Sequence, residues 1–519
     1  MKTNKLFFGF LAAGLLLSCT NEDEAAVVNP MGNTQTSYIA INVNSAYDAT
    51  RADYAEGTAE EQKVNNAHFF FFDNAGSAFN VSNEIGGTGV NYITKSGLAD
   101  NGNNPENVET ITEAVLTIKG NKGNNPAKVV AVVNWDYSGA SLSLAELKAQ
   151  LVSEADAVTG DFVMSNSVYL SGADVMDATP ITVANISSSE TGAMASPVDV
   201  YVERLAAKVA LTQAEELFDT GIANPYGTGN FYVKVLGWDI NTTMNRSNLV
   251  KSVSSAWTDA NLGIVGWNIE AYKRSFWGES VAVGGSAALV KNFSWNSINN
   301  AVAAADYCLE NTSGTNTKVL VKAQISDADG NPVEVVKLLG EYVTVDGLKN
   351  SIANALASKY YAFDGGVYTS IAAADIELAA AGTSGVDSYT VTYRLTAAAA
   401  AKTWKVKNAD GTTYSDVTAD DVNVSLDALE HAQVWNGGMA YYFADIKHLG
   451  AAGTTGEFGV VRNHSYAVNV TEIVGLGTPV YDGDSDVEEP VTPSDTESYI
   501  AARINVLTWK LVNQNVILK

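Results

Sequence analysis

Residues able to do chemistry are few and dispersed. The four histidines, His68, His431, His448 and His464, form no H-E-x-x-H pair, and no nucleophile elbow of the G-x-S-x-G type occurs. His464 follows Arg462-Asn463 and reads as a packed or hydrogen-bonded ring. Asp and Glu number 58, yet no two of them are marked as an acid/base pair. The runs Asp327-Ala328-Asp329-Gly330-Asn331 and Asp482-Gly483-Asp484-Ser485-Asp486 are fragments of calcium loops without the glutamate such a loop needs at its twelfth position, so they read as a turn and a solvated linker. Two cysteines, Cys19 and Cys308, exclude a zinc cluster and a disulfide scaffold. Neither an enzyme, a metal site nor a cofactor is expected. The charge points the same way: 31 Lys+Arg against 58 Asp+Glu give a net −27, which repels a phosphate backbone and excludes nucleic acid as a partner.

One residue near the start carries chemistry of another kind, done to the chain and not by it. Lys2 and Lys5 precede an apolar run from Leu6 to Leu17, too short to span a bilayer, and Leu16-Leu17-Ser18-Cys19 has the form of a bacterial lipobox. Cys19 would take a diacylglycerol and become the new first residue, leaving Cys308 as a lone buried thiol. Arg51, the only arginine before Arg204, lies in the polar loop Ser45–Ala59 that follows the first strand, where the ordinary reading of a lone arginine is a solvated surface residue.

The elements that position these residues are mostly strands. With 519 residues, 46% apolar and 17% charged, the chain can bury a sizeable core. Tyr38–Asn44 alternates with Ile39, Ile41 and Val43 on one face. His68–Asp73, with four phenylalanines in a row, and Lys128–Trp135 read as buried strands; Glu113–Lys119 alternates. Val198–Leu211 reads as one strand whose Glu203, Arg204 and Lys208 face solvent or pair, and Phe231–Ile240, Val319–Ile325 and Ser388–Leu395 are further strands. Two helices are expected: Leu142–Ala155, opened by the capping box Ser143/Glu146, and Val345–Tyr361, where Asp346 could cap. Asp482–Thr496 is acidic and holds two prolines, an extended linker. Beyond it Tyr499–Leu511 and Val512–Leu518 have high strand propensity and few charges, so they should not stay exposed.

In order along the chain, the lipobox, the arginine after the first strand, KVVAVVN at 128–134, Phe162–Ser167, YVERLAAKVAL at 201–211, Arg274–Trp277, Tyr307–Thr312, VVRNHSYAVNVTEIVGLGTPV at 460–480 and the terminal strand pair resemble the fimbrillins, the shaft pilins of the type V pili of Bacteroidia, and among them the minor-fimbrium shaft group. The resemblance implies an all-β fold of two transthyretin-like, Greek-key β-sandwich domains with small helical insertions and a C-terminal donor-strand segment. It divides the chain into a lipoprotein signal (1–18), a propeptide carrying the first strand (19–51), an N-terminal sandwich (52–196), a C-terminal sandwich (197–481), an acidic linker (482–497) and donor strands (498–519).

It also implies a mechanism. An Arg-specific protease would cut between Arg51 and Ala52, Ile39, Ile41 and Val43 would vacate a groove, and Val512, Gln514, Val516 and Leu518 of another copy would fill it. This is donor-strand exchange, a form of strand addition. The expected partners are other copies of the chain, related fimbrial subunits, the protease, the precursor's lipid anchor and a host or bacterial surface ligand. The expected location is an outer-membrane-anchored precursor and then a surface fimbria supporting adhesion and biofilm formation. The alternative reading is a glycan- or protein-binding surface lipoprotein, a tip or accessory subunit.

Overall fold

The computed structural model describes residues 37–45, 54–55, 57–81, 89–98, 111–118, 125–158, 160–167, 169–171, 174–176, 178–251, 259–263, 280–281, 290–311, 315–382, 389–490, 500–501, 504–506 and 509–518. Cys19, Arg51, Ala52 and the Arg274–Trp277 block lie outside them. The described chain is mostly β, in several sheets.

The first sheet uses β1 (Ser37–Ser45), β2 (Asn66–Phe72), β3 (Tyr92–Ser96), β4 (Ile111–Ile118), β5 (Lys128–Val133), β6 (Met164–Asn166) and β7 (Val198–Arg204). Its order is β1-β7-β6-β5-β2-β3, with β4 on the other edge of β1. The four phenylalanines explain how it packs. Strand alternation sends Phe69 and Phe71 into one core with Ile39, Ile41, Leu116, Ile118, Val129 and Val200. Phe70 and Phe72 enter a second core with Val130, Leu147, Val152, Leu249 and Leu309. All four are fully buried, as a strand covered on both faces requires.

The second unit is two sheets face to face. One is built from β8 (Ala206–Gln213), β11 (Ala305–Leu309), β14 (His464–Ile473) and β15 (Trp509–Leu518); the other from β9 (Phe218–Ala223), β10 (Asn230–Asn241), β12 (Lys318–Ser326) and β13 (Met439–Asp445). The orders are β15-β14-β8-β11 and β9-β10-β12-β13. Val209, Leu211, Cys308, Tyr466 and Val468 of the first interdigitate with Phe231, Val233, Val321, Ala323 and Tyr442 of the second. Cys308 is fully buried, and burial pushes its thiol well above the ordinary range, so it stays protonated.

Several expectations are corrected. Val198–Leu211 is two strands in two sheets, β7 and β8, and the chain crosses between sheets at Leu205. The helix expected over Leu142–Ala155 stops at Lys148. Its capping box is present, but Leu151–Ser153 pairs instead with Arg246–Asn248, a tertiary partner that outweighs local periodicity. The helix Val345–Leu356 is capped by Thr344, whose hydroxyl accepts from Gly347 N, and not by Asp346. Between β12 and β13 the chain builds a core of its own from Leu348, Ile352, Tyr393, Trp404, Val422 and Leu426. The linker does not begin at Asp482: Asp486–Val487 pairs with Phe293–Ser294, and Glu488 O accepts from Tyr441 Oη at 2.6 Å.

Truncating a phenylalanine of β2 empties a site sealed on both faces. Phe71→Ala is expected to cost about 3–5 kcal/mol, whereas Val424→Ala, on an exposed helix position, should change stability by less than about 0.5 kcal/mol. Denaturant unfolding of the two variants beside the parent measures the contrast.

Candidate functional site: the two terminal strands and the junction between them

β1 is an interior strand contributed by the N-terminal end of the chain. On one edge it runs antiparallel to β4, from Ser37 opposite Ile118 to Asn44 opposite Ile111. On the other it pairs with Ile186–Ser187 at Tyr38 and Ile39, then parallel to β7 from Ile41 opposite Val198 to Ser45 opposite Val202. Ile39 and Ile41 are fully buried among Leu116, Ile118, Val198 and Val200, and Ala40 is buried on the opposite face. Val43 lies in the same strand and register. The slot β1 occupies is therefore two-edged and nine residues long, a backbone trough lined by apolar side chains.

β15, which carries Val512, Gln514, Val516 and Leu518, is ten residues long. It runs parallel to β14 from His464 opposite Lys510 to Ile473 opposite Leu518, with a bulge between Val470 and Glu472. The terminal strand thus folds back onto its own unit. Its other edge is met by Ile500–Ala501, by Ile504–Val506 and, at Lys510 and Trp509, by Tyr54–Ala55 from the far end of the sequence.

The two units are fastened by charge. Glu203 and Arg204, at the end of β7, point into the protein and are paired there, the second of the two outcomes expected for the charges of this run; each is 1% exposed. Glu203 meets Lys251 at 2.9 Å, both side chains fully buried, and accepts from Ser167 Oγ at 3.0 Å. Arg462 donates through Nε to Glu310 Oε1 at 2.7 Å and through Nη2 to Ser247 Oγ and Asn248 O, each at 2.9 Å. Glu203 and Glu310 thus balance Lys251 and Arg462. Burial lowers the Lys251 pKa, partly opposed by the two carboxylates.

Arg204 donates to Glu61 O at 2.7 Å and to Asn463 Oδ1 at 3.0 Å. Asn463 can offer that oxygen because its backbone is left-handed (φ 55°), a conformation asparagine tolerates better than most residues. Glu61, 1% exposed, takes Lys208 Nζ at 2.7 Å, Thr58 N at 2.7 Å and the Tyr307 hydroxyl. Burial alone would raise its carboxyl, but these bonds outweigh that and hold it below the ordinary glutamate range.

His464 packs against His448 at 5.4 Å and its Nδ1 lies 2.9 Å from Arg462 O, a structural placement. Among the described residues no group of three His, Cys, Asp or Glu side chains could hold a metal ion, and no helix is long and apolar enough to cross a membrane. Sequence reasoning singled out 162–167, 201–211, 307–312 and 460–480 without seeing that they meet. Asn166 Oδ1 accepts from Ala131 N at 2.8 Å, and Asn311 and Val460 exchange backbone bonds at 2.9 and 3.1 Å. The signal available was the concentration of Glu, Arg and Asn in otherwise apolar runs.

Residues 433–515 match the family described as major fimbrial subunit protein type IV, fimbrillin, C-terminal. That span, from just before β13 into β15, is fimbrillin-type, in agreement with the resemblance read from the sequence as far as the fimbrillins and not as far as the shaft group. No curated protein matches the chain. Among solved structures, a fimbrilin (fimA) from Porphyromonas gingivalis W83 is 14% identical, with 94% of this chain and 97% of that one covered at a TM-score of 0.37. A fimbrial assembly protein from Parabacteroides distasonis ATCC 8503 is 11% identical, with 74% and 100% covered at 0.32. The tip fimbrial protein Mfa3 from Porphyromonas gingivalis is 12% identical, with 58% and 83% covered at 0.27.

Two outcomes follow from the junction. Glu310→Ala or Arg462→Met strands a buried charge and should cost about 3–5 kcal/mol, while replacing both by apolar residues should recover most of the loss; thermal unfolding distinguishes the three. Glu61, with its folded pKa lowered, contributes stability above the ordinary glutamate range and loses it as pH falls through the lowered value. Glu61→Gln should therefore flatten the acid side of the stability curve below the ordinary glutamate value of 4.5 and leave it unchanged in slope near neutral pH.

Proposed function

We propose that the chain is a structural subunit of a surface fimbria, polymerised by strand exchange after proteolysis at Arg51. The observation that carries the reading is β1: an interior strand at the N-terminal end, paired on both edges, joined onward only through the loop that holds Arg51. Cutting Arg51–Ala52 lets residues 19–51 leave with the lipid on Cys19 and opens a nine-residue slot. β15 of a second copy is ten residues long and carries Val512, Gln514, Val516 and Leu518 at alternate positions.

Strand for strand, the exchange replaces one set of ladder bonds by another. Burying about five apolar side chains contributes on the order of 8–15 kcal/mol before entropic costs, and the ladder bonds slow dissociation. A non-covalent polymer of that kind is durable. The mature subunit begins at Ala52, and its two β-units divide where the chain changes sheets at Leu205. The match over 433–515 supports a fimbrial subunit; the shaft position is part of the proposal, with adhesion and biofilm formation as the consequences of a surface polymer.

The test is an assembly assay on precursor made without its lipid. After trypsin under native conditions, an unboiled gel should show a ladder of oligomers and an N-terminus at Ala52. Arg51→Ala and a chain lacking 508–519 should give none. A precursor cut at Arg51 that stays monomeric would sink this function.

A further inference from the structure

The outer edge of β15 is covered along its length by three short segments, and they differ in origin. Ile500–Ala501 lies opposite Leu518 and Ile517, and Ile504–Val506 opposite Gln514 to Leu511. Both immediately precede β15 in the chain and can leave with it. Tyr54–Ala55 lies opposite Lys510 and Trp509 and belongs to the other end of the molecule, three residues past Arg51.

A two-residue strand has little stability of its own. What holds this one is that the chain is fixed on both sides of it. Upstream, β1 is locked in the first sheet up to Ser45, and only residues 46–53 separate that strand from Tyr54. Downstream, Glu61 is buried at the junction. Its carboxylate takes Lys208, Thr58 N and Tyr307, and its carbonyl takes Arg204. Between these two fixed points the pairing to Lys510 and Trp509 costs little further chain entropy. Arg51 lies between the upstream fixed point and the strand.

We propose that Tyr54–Ala55 is a clasp that holds β15 on its own subunit, and that the cut at Arg51 loosens it. With the chain severed, the clasp keeps only its Glu61 side, the effective concentration of the strand at Lys510 and Trp509 falls, and the base of β15 becomes an open edge. One cleavage then does two things: it frees β1 from the chain and unfastens the terminal strand, so that no subunit offers its strand before its own slot can be vacated. The part of this that concerns strand release for assembly rests on the function proposed above; the clasp itself does not.

Hydrogen–deuterium exchange on the full, uncut chain separates the two. Ala55→Pro breaks the pairing, and Tyr54→Gly combined with Ala55→Gly weakens it without proline. In both, amides of 509–518 should exchange about tenfold faster or more, while those of Phe69–Phe72 and Val319–Ile325 keep parental protection. Cutting the parent at Arg51 in dilute solution, before oligomers form, should accelerate the same amides. Unchanged exchange at 509–518 in the Gly variant and in the cut parent would overturn the clasp, whatever the gel shows. Faster exchange with no oligomers after the cut would leave the clasp standing and remove strand exchange as its purpose.

Discussion

An interior strand cannot be omitted from a sheet. Each of its neighbours would expose a row of unpaired N–H and C=O groups, and the core would lose the side chains that strand supplied. β1 is in that position, with β4 on one edge and Ile186–Ser187 and β7 on the other. The first sheet therefore depends on a strand that, among the described residues, the chain delivers before any other element. Whatever removes β1 must be followed by something that replaces it, and the replacement must be an extended, half-apolar segment of about the same length. That requirement selects a strand as the occupant.

The junction charges serve the opposite need, permanence. Exposed ion pairs contribute little, and buried ones cost desolvation that their attraction only partly offsets. Glu203, Lys251, Glu310 and Arg462 are all fully or almost fully buried, balanced in number and hydrogen-bonded to Ser167, Ser247 and Asn248. Their value lies in direction: breaking any one strands its partner, so the end of β7, the segment at Ser247–Lys251, Glu310 and the start of β14 have a single mutual arrangement. Under the proposed exchange such a fixed frame would keep the slot in shape while β1 departs.

Much of this was legible. Ile39, Ile41 and Val43 alternate as a half-buried strand must, the Phe69–Phe72 run announces a strand covered on both faces, and the Ser143/Glu146 box marks a true helix start. What escaped was non-local. Leu151–Ser153 leaves the helical pattern because Arg246–Asn248, nearly a hundred residues on, offers it a ladder. Glu203 and Arg204 look like surface residues of a strand until Lys251 and Asn463 are brought to them by the fold. The separate core between β12 and β13 draws on elements too short to declare a unit by periodicity alone. Asn463 was visible as a letter, but its left-handed backbone, which turns its oxygen toward Arg204, is a property of the turn into β14.

Topology makes both terminal strands separable. A strand in a hairpin remains tied to its neighbour by the turn, so removing it needs two cuts or leaves a tether. β1 has no such neighbour: β4 and β7 are distant in sequence, and β7 runs parallel to it, an arrangement no tight turn can join. β15 lies parallel to β14, which lies parallel to β8, and its antiparallel neighbour Ile504–Val506 directly precedes it in the chain and travels with it. Each terminal strand is therefore bound to its main neighbours by ladder bonds and side-chain packing alone, and to the rest of the chain through one connection. In the proposed exchange, the lack of a tight turn to the body of the protein is what would let a single peptide bond decide whether a strand that completes the core remains part of its own molecule.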